Sequence, residues 1–440
     1  MSAVKANIHR ALSDQQLGQA VLNACLLSVE KRDKIISELD DFQALRSQAR
    51  AIRLRSLDDN QTLHARFRET FEAAGGRLHY AAGADVACRI VVDILRKAGA
   101  RRGVKAKSMV TEEIELGSAL AYAGIDAIES DLGEFIVQLA GEKPSHITAP
   151  ALHKSRESIG RLFSEKLRVP YTSDPAELTG IAREYMRHRY LNAEFGISGG
   201  NFIIAETGHV VVVENEGNGR LGSSLPRIFI VVTGLEKVLE NLSDLPPLLS
   251  LLPRSATGQR ITSYINMMLP AHKGEDGPEE FHLVMLDNGR SRAMLDADFR
   301  EMLLCIRCGA CLNICPVYRS VGGHAYGSVY PGPMGAVLSN LLGSDAQKYY
   351  ELPFLSTLCG ACREVCPVDI DIPRLLLKLR AVAPKPALEK LAAGGWGWAV
   401  STPARFELMG GISKFGLRLF GRSAPGGLGG SKGTSFRRSR

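Results

Sequence analysis

The sequence of 440 residues lacks an apolar run of the roughly 20 residues that a bilayer span requires. Its N-terminal stretch carries His9, Arg10 and Asp14, so it lacks the apolar core of a secretory signal. Only 6% of residues are aromatic, and the body of the chain has one concentrated basic stretch, residues 96–107. Nucleic-acid domains combine a basic face with aromatic side chains that stack on bases. We therefore expect a cytoplasmic protein that does not bind nucleic acid.

An acidic excess is also absent, since the formal net charge is +7. Residues 401–440 hold eight basic residues and one acid, so the rest of the chain is formally neutral. The basic residues of this tail are Arg405, Lys414, Arg418, Arg422, Lys432, Arg437, Arg438 and Arg440. Apolar residues among those at 414–422 predict docking on a partner or peripheral contact with an anionic membrane, with a disordered end as the alternative. The tail from Ala424 is rich in Gly, Ser and Arg, which is typical of disorder.

Four regions follow from the distribution of apolar residues, Pro and Gly. Residues 1–75 contain no Pro and repeat apolar residues at helical spacing, so they are predicted to be helical. Residues 76–296 alternate strand and helix patterns, which predicts an α/β domain whose mainly parallel sheet is covered on both faces. Residues 297–383 form a helical region with cysteine-bearing loops, and residues 384–440 form a C-terminal extension.

Several elements of the α/β region have local signals. Strands are predicted at residues 125–129 and 146–150, and a helix is predicted to begin at Ser155. Thr111 is the predicted N-cap of another helix, whose first turn holds two acids where the helix dipole favours them. The turn at residues 207–209, which lies between two apolar runs, predicts a β-hairpin.

Cysteine is used unevenly along the chain. Of the nine cysteines, Cys25 and Cys88 are isolated and are predicted to be small buried apolar residues. The other seven lie within residues 305–366. Because a secretory signal is lacking, this concentration predicts metal binding rather than disulfide bonds.

The seven cysteines form two related motifs. The first has the spacing C-x2-C-x2-C-x3-C-P and comprises Cys305, Cys308, Cys311 and Cys315. The second has the spacing C-x2-C-x3-C-P and comprises Cys359, Cys362 and Cys366. In two-cluster ferredoxins the cysteine before Pro ligates the other cluster. This crosswise pattern assigns four ligands to the first cluster, namely Cys305, Cys308, Cys311 and Cys366. It leaves three for the second, namely Cys315, Cys359 and Cys362.

With three cysteines, the second cluster can take one of three forms. The first is a four-iron cube with a non-cysteine ligand, for which Ser356 is the nearest residue in register. The second is a four-iron cube in which one iron has no protein ligand, and the third is a three-iron [3Fe-4S] cluster. Unequal ligand charge predicts unequal reduction potentials and hence a directional relay. A zinc site on two of the C-x-x-C pairs is the alternative, but it leaves three cysteines without a role.

Residues 60–383 resemble the lactate-utilisation iron–sulfur protein B family. The resemblance is carried by both cysteine motifs and by the stretches KAKSMVTEE (105–113), EKPSHI (142–147), ENEGNGR (214–220) and LPRSATGQ (252–259). The family pattern also has seven cysteines, so Ser356 does not mark a damaged site.

The resemblance implies a lactate-utilisation (LUD) domain, similar in fold to sugar-phosphate isomerases and CoA transferases. An α-helical ferredoxin domain with two [4Fe-4S] clusters would follow it. The resemblance also implies two companions, a cysteine-rich A protein and a C protein, in a complex that oxidises L-lactate to pyruvate. In that complex this chain would carry electrons away from the oxidation site to an acceptor that the resemblance does not identify.

Chemistry in the α/β body itself has weaker signals. Glu206 on the predicted hairpin is similar in placement to the catalytic glutamate of CoA transferases, while Glu112 and Glu113 are predicted to be solvated or helix N-terminal acids. Lys105 and Lys107 are candidates to bind an anion such as a carboxylate, or else form a solvated face. Two alternative functions follow: electron transfer for another donor (glycolate, glycerol phosphate or a thiol–disulfide couple), or an acyl or carbonyl enzyme whose clusters are structural.

Overall fold

The computed structural model begins with four helices. They are α1 (Ala3–Ser13), α2 (Gln15–Ile36), α3 (Phe42–Asp58) and α4 (Asn60–Ala73). Ser2, Asp14 and Asp41 cap the first three, because each side-chain oxygen accepts a hydrogen bond from a backbone amide of the first turn. Cys25 of α2 is fully buried, as predicted for a small apolar residue.

The chain divides into two compact units, Met1–Val382 and Ala383–Arg440. The structure describes residues 2–270, 276–343, 346–384 and 387–420. The tail from Ala424, which is predicted to be disordered, lies outside the described residues together with Arg422.

A six-stranded parallel sheet forms the centre of the first unit, and a smaller four-stranded sheet lies beside it. The strands are β1 (Arg77–Ala81), β2 (Arg102–Lys105), β3 (Asp126–Glu129), β4 (Phe195–Gly199), β5 (Phe202–Ile204), β6 (Val210–Glu214), β7 (Ile228–Gly234), β8 (Val238–Leu239), β9 (Tyr264–Met268) and β10 (Glu280–Leu286). The large sheet has the order β1-β10-β7-β4-β2-β3, and all its pairs are parallel. The small sheet has the order β8-β5-β6-β9.

Helices cover both faces of the large sheet, with α4 on one face and α5 on the other. The helices of the body that follow α4 are α5 (Ala84–Lys97), α6 (Met109–Glu113), α7 (Leu116–Tyr122), α8 (Leu132–Ala140), α9 (Arg156–Leu167), α10 (Pro175–Leu191), α11 (Asn218–Ser224), α12 (Leu245–Thr257) and α13 (Arg290–Leu295). Every residue of β7 is buried, because Ile228 and Ile230 face the side of α5 while Phe229 and Val231 face α4. The predicted α/β body with a parallel sheet is confirmed.

Local predictions in this body were mostly confirmed. The strand at residues 125–129, the helix after Ser155 and the antiparallel hairpin of β5 and β6 are all present. The strand predicted at residues 146–150 is wrong, because His146 Nδ1 accepts hydrogen bonds from the next backbone amides and replaces a ladder with a local turn. The predicted N-cap Thr111 is also wrong, since Ser108 Oγ accepts from the Thr111 amide.

The cysteine region is helical, as predicted, and shares one hydrophobic core with α2 and α3. Its helices are α14 (Ala310–Ile314), α15 (Pro316–Val321), α16 (Gly332–Leu341), α17 (Ala361–Glu364) and α18 (Ile372–Val382). Short 3₁₀ helices occur at Leu235–Lys237, Leu242–Asp244, Arg300–Leu304, His324–Tyr326, Ala346–Tyr349 and Leu352–Phe354.

The second unit contains two helices for which the sequence analysis predicted no element. They are α19 (Ala387–Val400) and α20 (Pro403–Phe420). Six glycines in these helices weaken the helical signal, since Gly is a poor helix former. Within the described residues, no helix of the chain combines the length and apolar character that a bilayer crossing needs.

Candidate metal centre

Four cysteines from the two motifs line one cavity. Cys305, Cys308 and Cys311 come from the loop before α14 and its first turn, and Cys366 comes from the loop after α17. Cys308 and Cys366 are buried, and the other two are half-buried. These are the four thiols that the sequence analysis assigns to the first cluster. The ligand assignment itself stays a prediction.

The remaining three motif cysteines lie together next to this group. Burial, together with the charges of the nearby Cys315 and Cys359 thiolates, raises the pKa of Cys362 to about 12. Cys362 also lies close to Cys311, whose pKa is raised by burial and by the charges of neighbouring thiolates. Of the seven thiols, Cys359 alone is exposed. The two groups are therefore neighbours, and the second group reaches the surface.

The donor set fits iron–sulfur clusters. Cysteine thiolates are the ligands of such clusters, and burial disfavours a thiolate unless a metal or nearby donors compensate its charge. The amides of Arg307 and Ile370 each donate a hydrogen bond over 3.4 Å, to the sulfurs of Cys305 and Cys366 respectively. Gly309 has φ of 80°, a left-handed conformation that bends the first loop around the cavity.

Two further residues lie near the three-cysteine group. Ser356 precedes Cys359 by three positions, and its Oγ accepts a hydrogen bond from the amide of Leu358 at 3.1 Å. Its role as a fourth ligand stays a prediction. Burial raises the pKa of Cys25 to about 11, a net value in which Arg319 opposes the rise and the Cys315 thiolate makes a small contribution to it. The sequence analysis treated Cys25 as isolated, because nothing local indicates that α2 lies against the first motif.

A buried chain of ion pairs connects the α/β body to the first motif. The Glu236 carboxylate is fully buried, accepts from Arg290 Nε at 2.6 Å and lies 3.5 Å from Arg307 Nη2. Arg290 also donates to both carboxylate oxygens of Glu113, each at 2.9 Å, and Tyr330 O–H donates to the same group at 2.7 Å. Although burial opposes it, Arg290 holds the pKa of Glu113 and of Glu236 below its usual value. The prediction that Glu113 is a solvated or helix N-terminal acid is wrong.

Arginines of the N-terminal helices hold the loop of the second motif. Arg46 Nε donates to the carbonyl of Cys366 at 2.7 Å, and Arg32 Nη2 donates to the carbonyl of Val365 at 3.2 Å. Both arginine side chains are about nine-tenths buried. The sequence analysis missed these residues, because the sequence around a buried arginine on an amphipathic helix looks the same as the sequence around a solvent-exposed arginine.

A second cavity, larger than the cysteine cavity at about 320 Å³, lies at the carboxyl ends of the strands of the large sheet. It is lined by residues that follow the carboxyl ends of four strands, namely Ala106–Val110 after β2, Asp131 after β3, Gly199–Asn201 at the end of β4, and Lys237 after β7. Its volume lies in the range of roughly 300–1,000 Å³ typical of small-molecule sites. Ile147, Ile306 and Arg307 line both this cavity and the cysteine cavity, so the two adjoin.

Of the candidate site residues predicted in the α/β body, Lys107 lies at the large cavity, while Lys105 and Glu206 do not line it. Lys105 is 1% exposed, and its Nζ pairs with Glu129 at 2.6 Å and Glu112 at 2.9 Å, so neither an anion site nor a solvated face describes it. Glu206 lies in an exposed turn after β5, where its carboxylate accepts from a backbone amide, and it is not among the residues that line either cavity.

Comparisons with known proteins bear on both parts of the chain. The LUD domain family matches residues 64–286, and the 4Fe-4S dicluster domain family matches residues 301–370. A solved DUF162 family protein from Deinococcus radiodurans aligns with 52% of this chain and 98% of its own, at 11% identity and a TM-score of 0.30. That structural similarity is too low to support an inference.

Two curated relatives align over most of the chain. Lactate utilization protein B of Bacillus velezensis is 45% identical over 415 residues, which cover 92% of this chain and 87% of that protein. The protein of the same name from Bacillus cytotoxicus is 43% identical over 403 residues, which cover 90% and 85% respectively. The chain therefore carries an LUD domain and a 4Fe-4S dicluster domain, and it belongs to the lactate utilization protein B family.

Proposed function

We propose that this chain is the iron–sulfur electron-transfer subunit of a complex that oxidises L-lactate to pyruvate. The names of its relatives support lactate utilization, and the dicluster match supports iron–sulfur clusters in residues 301–370. We assign two [4Fe-4S] clusters to the seven motif cysteines, with the crosswise ligands given by the sequence analysis. When bound, such clusters accept and donate single electrons.

The arrangement of the seven thiols carries the proposal. Four of them surround a cavity next to the α/β body, and three adjoin these four and end at the exposed Cys359. Residues of the body hold the first motif, since Lys237 Nζ donates to the carbonyl of Cys305 at 3.0 Å. A buried centre that neighbours a surface centre suits transfer between the interior and a partner protein.

Anaerobic purification followed by iron and acid-labile sulfide analysis tests the cluster content. We expect about eight iron ions per chain if both clusters are cubes, and about seven if the three-cysteine group holds a three-iron centre. A redox titration followed by EPR is expected to resolve two unequal potentials, because one group has four thiolates in the interior and the other has three and reaches solvent. Two indistinguishable centres, or zinc in place of iron, would contradict the proposal.

One version of the enzyme alternative, in which the clusters are structural, rests on Glu206. Because its carboxylate lies in an exposed turn outside the cavities, we expect the Glu206→Gln protein to support lactate oxidation at the wild-type rate in the assembled complex. Glu157→Gln, at another exposed acid, is the matched control. A specific loss of activity in Glu206→Gln would favour acyl or carbonyl chemistry in the body. Glycolate, glycerol phosphate and a dithiol, supplied in place of lactate, test the other alternative.

The proposed partners are the cysteine-rich A-type protein and the C-type protein of lactate utilization, together with a further electron acceptor. We propose that the complex acts in the cytoplasm, with peripheral membrane contact through residues 401–440. Phe406 and Leu408 of α20 are exposed, at 59% and 58%, and Arg405 stands beside them. Exposed apolar and basic residues on one helix suit an anionic interface.

A further inference from the structure

The large cavity lies where the strand order of the sheet reverses. From β2 the chain moves outward to β3, and it then returns to β4 on the other side of β2 before continuing to β7. In open α/β sheets, ligands bind outside the carboxyl ends of the strands at such a switch point. The residues after β2 and at the end of β4 line the cavity, so its position is that of a ligand site.

The end of the cavity nearest the first motif carries two basic side chains, those of Arg307 and Lys237. The Arg307 side chain is only 10% exposed, and its buried Nε and Nη1 have no hydrogen-bond acceptor among the described residues. Its other contacts are a 3.5 Å approach to Glu236 and the face of the Tyr330 ring at 5.2 Å. The Lys237 side chain is 5% exposed, donates to the carbonyl of Cys305 and lies 3.9 Å from the Glu236 carboxylate. An ammonium group has three donors, so these contacts leave donor capacity at the cavity.

The acids that line the cavity already have donors. Glu214 accepts hydrogen bonds from the amide of Gly219 at 2.6 Å and from two further groups. Glu216 accepts from the amide of Leu132 at 3.2 Å. Lys107 lies near Asp131 and Glu216; burial lowers the pKa of Lys107, and the charges of these acids oppose that lowering only in part. The unmet hydrogen-bonding capacity of the cavity is therefore mainly that of donors on cations, and an anion satisfies it.

We infer that this cavity binds a small carboxylate anion that carries a second oxygen group, a hydroxyl or an oxo group. Arg307 and Lys237 hold the carboxylate, because a planar guanidinium and an ammonium together match its two oxygens. The acidic end, with Lys107, offers both acceptors and a donor for the second oxygen group. The inference concerns binding, and it rests on the proposed function for the identity of the second oxygen group and for the choice of lactate and pyruvate as probes.

Isothermal titration calorimetry on the anaerobic, cluster-loaded full-length chain tests this site. L-lactate and pyruvate are expected to bind, and lactamide, the neutral amide of lactate, is not. Arg307→Gln is expected to weaken lactate binding roughly tenfold or more, because a charged hydrogen-bond partner is lost. Lys107→Gln, which is remote in sequence from every motif cysteine, is expected to weaken it several-fold. Lys143→Gln, at a lysine whose side chain is 77% exposed, is the matched control and keeps wild-type affinity.

Iron analysis of each variant separates a local effect from cluster loss, since Arg307 lies between two motif cysteines. Carboxylate binding that survives in both variants with normal iron content overturns the inference. So do the absence of binding by either carboxylate, equal binding of lactamide, and tighter binding of inorganic phosphate than of lactate. If no carboxylate binds but the iron content and the EPR signals are normal, the binding inference is wrong and the electron-transfer proposal is unaffected. The two proposals can therefore be refuted independently.

Discussion

Replacing Cys366 with alanine is expected to remove the same cluster as replacing Cys308, and to leave the other cluster in place. Cys366 belongs to the second motif in sequence, but it lines the cavity formed by three thiols of the first motif. About four of the roughly eight iron ions per chain are then lost, or about one if a three-iron centre survives. Iron and sulfide analysis with an EPR redox titration measures which of the two potentials disappears or shifts.

Cys315→Ala is the matched variant, because Cys315 occupies the same position before proline in the first motif. It is expected to alter the other centre, as Cys362→Ala does. Cys88→Ala is the neutral control, since this buried thiol lies in α5 and donates to the carbonyl of Ile114. If Cys366→Ala instead alters the centre that Cys362→Ala alters, each motif holds its own cluster and the crosswise assignment is wrong.

Replacing Arg290 with methionine is expected to lower the free energy of unfolding by about 3–5 kcal/mol, the usual cost of breaking a buried ion pair. Arg290 is fully buried and binds two carboxylates, those of Glu113 and Glu236. Methionine fills part of the space but leaves both acids in the interior without their cation. Urea unfolding of the anaerobic protein measures the loss, and Arg156→Met, at an exposed arginine, is expected to change stability by less than about 0.5 kcal/mol.

The loss is also expected to depend on pH. In the wild-type protein the pKa values of Glu113 and Glu236 are depressed, so their contribution to stability is present above the ordinary glutamate pKa and is lost as pH falls through the depressed values. Without Arg290, burial raises both pKa values, so ionising these acids costs stability as pH rises. The free energy of unfolding of the variant should therefore fall further below that of the wild type at about pH 8 than at about pH 5. A deficit that is constant with pH would point to lost van der Waals contacts rather than to charge.

Local patterns along the chain predicted those elements whose causes are local. The hairpin of β5 and β6 follows from two apolar runs around Gly208, which has φ of 75° in the turn. The helix after Ser155 follows from a side chain that caps it. The two cysteine motifs were also predictable, because the spacing of the cysteines along the chain is enough to indicate a cluster-binding motif.

The contacts around the candidate site were not predictable from local pattern. Glu113 has the sequence context of a helix N-terminal acid. It is buried because it pairs with Arg290, which lies 177 residues later in the chain. His146 lies in a stretch with the appearance of a strand, but its ring lies 3.0 Å from Asn313 Oδ1 in the cysteine region. Such pairings depend on which distant elements the fold brings together, and a single sequence does not record them.

The bonds from Arg32 and Arg46 to the loop of the second motif have a consequence for biogenesis. This loop takes its supports from helices that lie 320 and 333 residues before it in the chain. Neither cysteine group is complete until Cys362 and Cys366 have emerged and docked against those early helices. Iron and sulfide therefore have no complete site to enter until the N-terminal helices and the second motif have folded against each other.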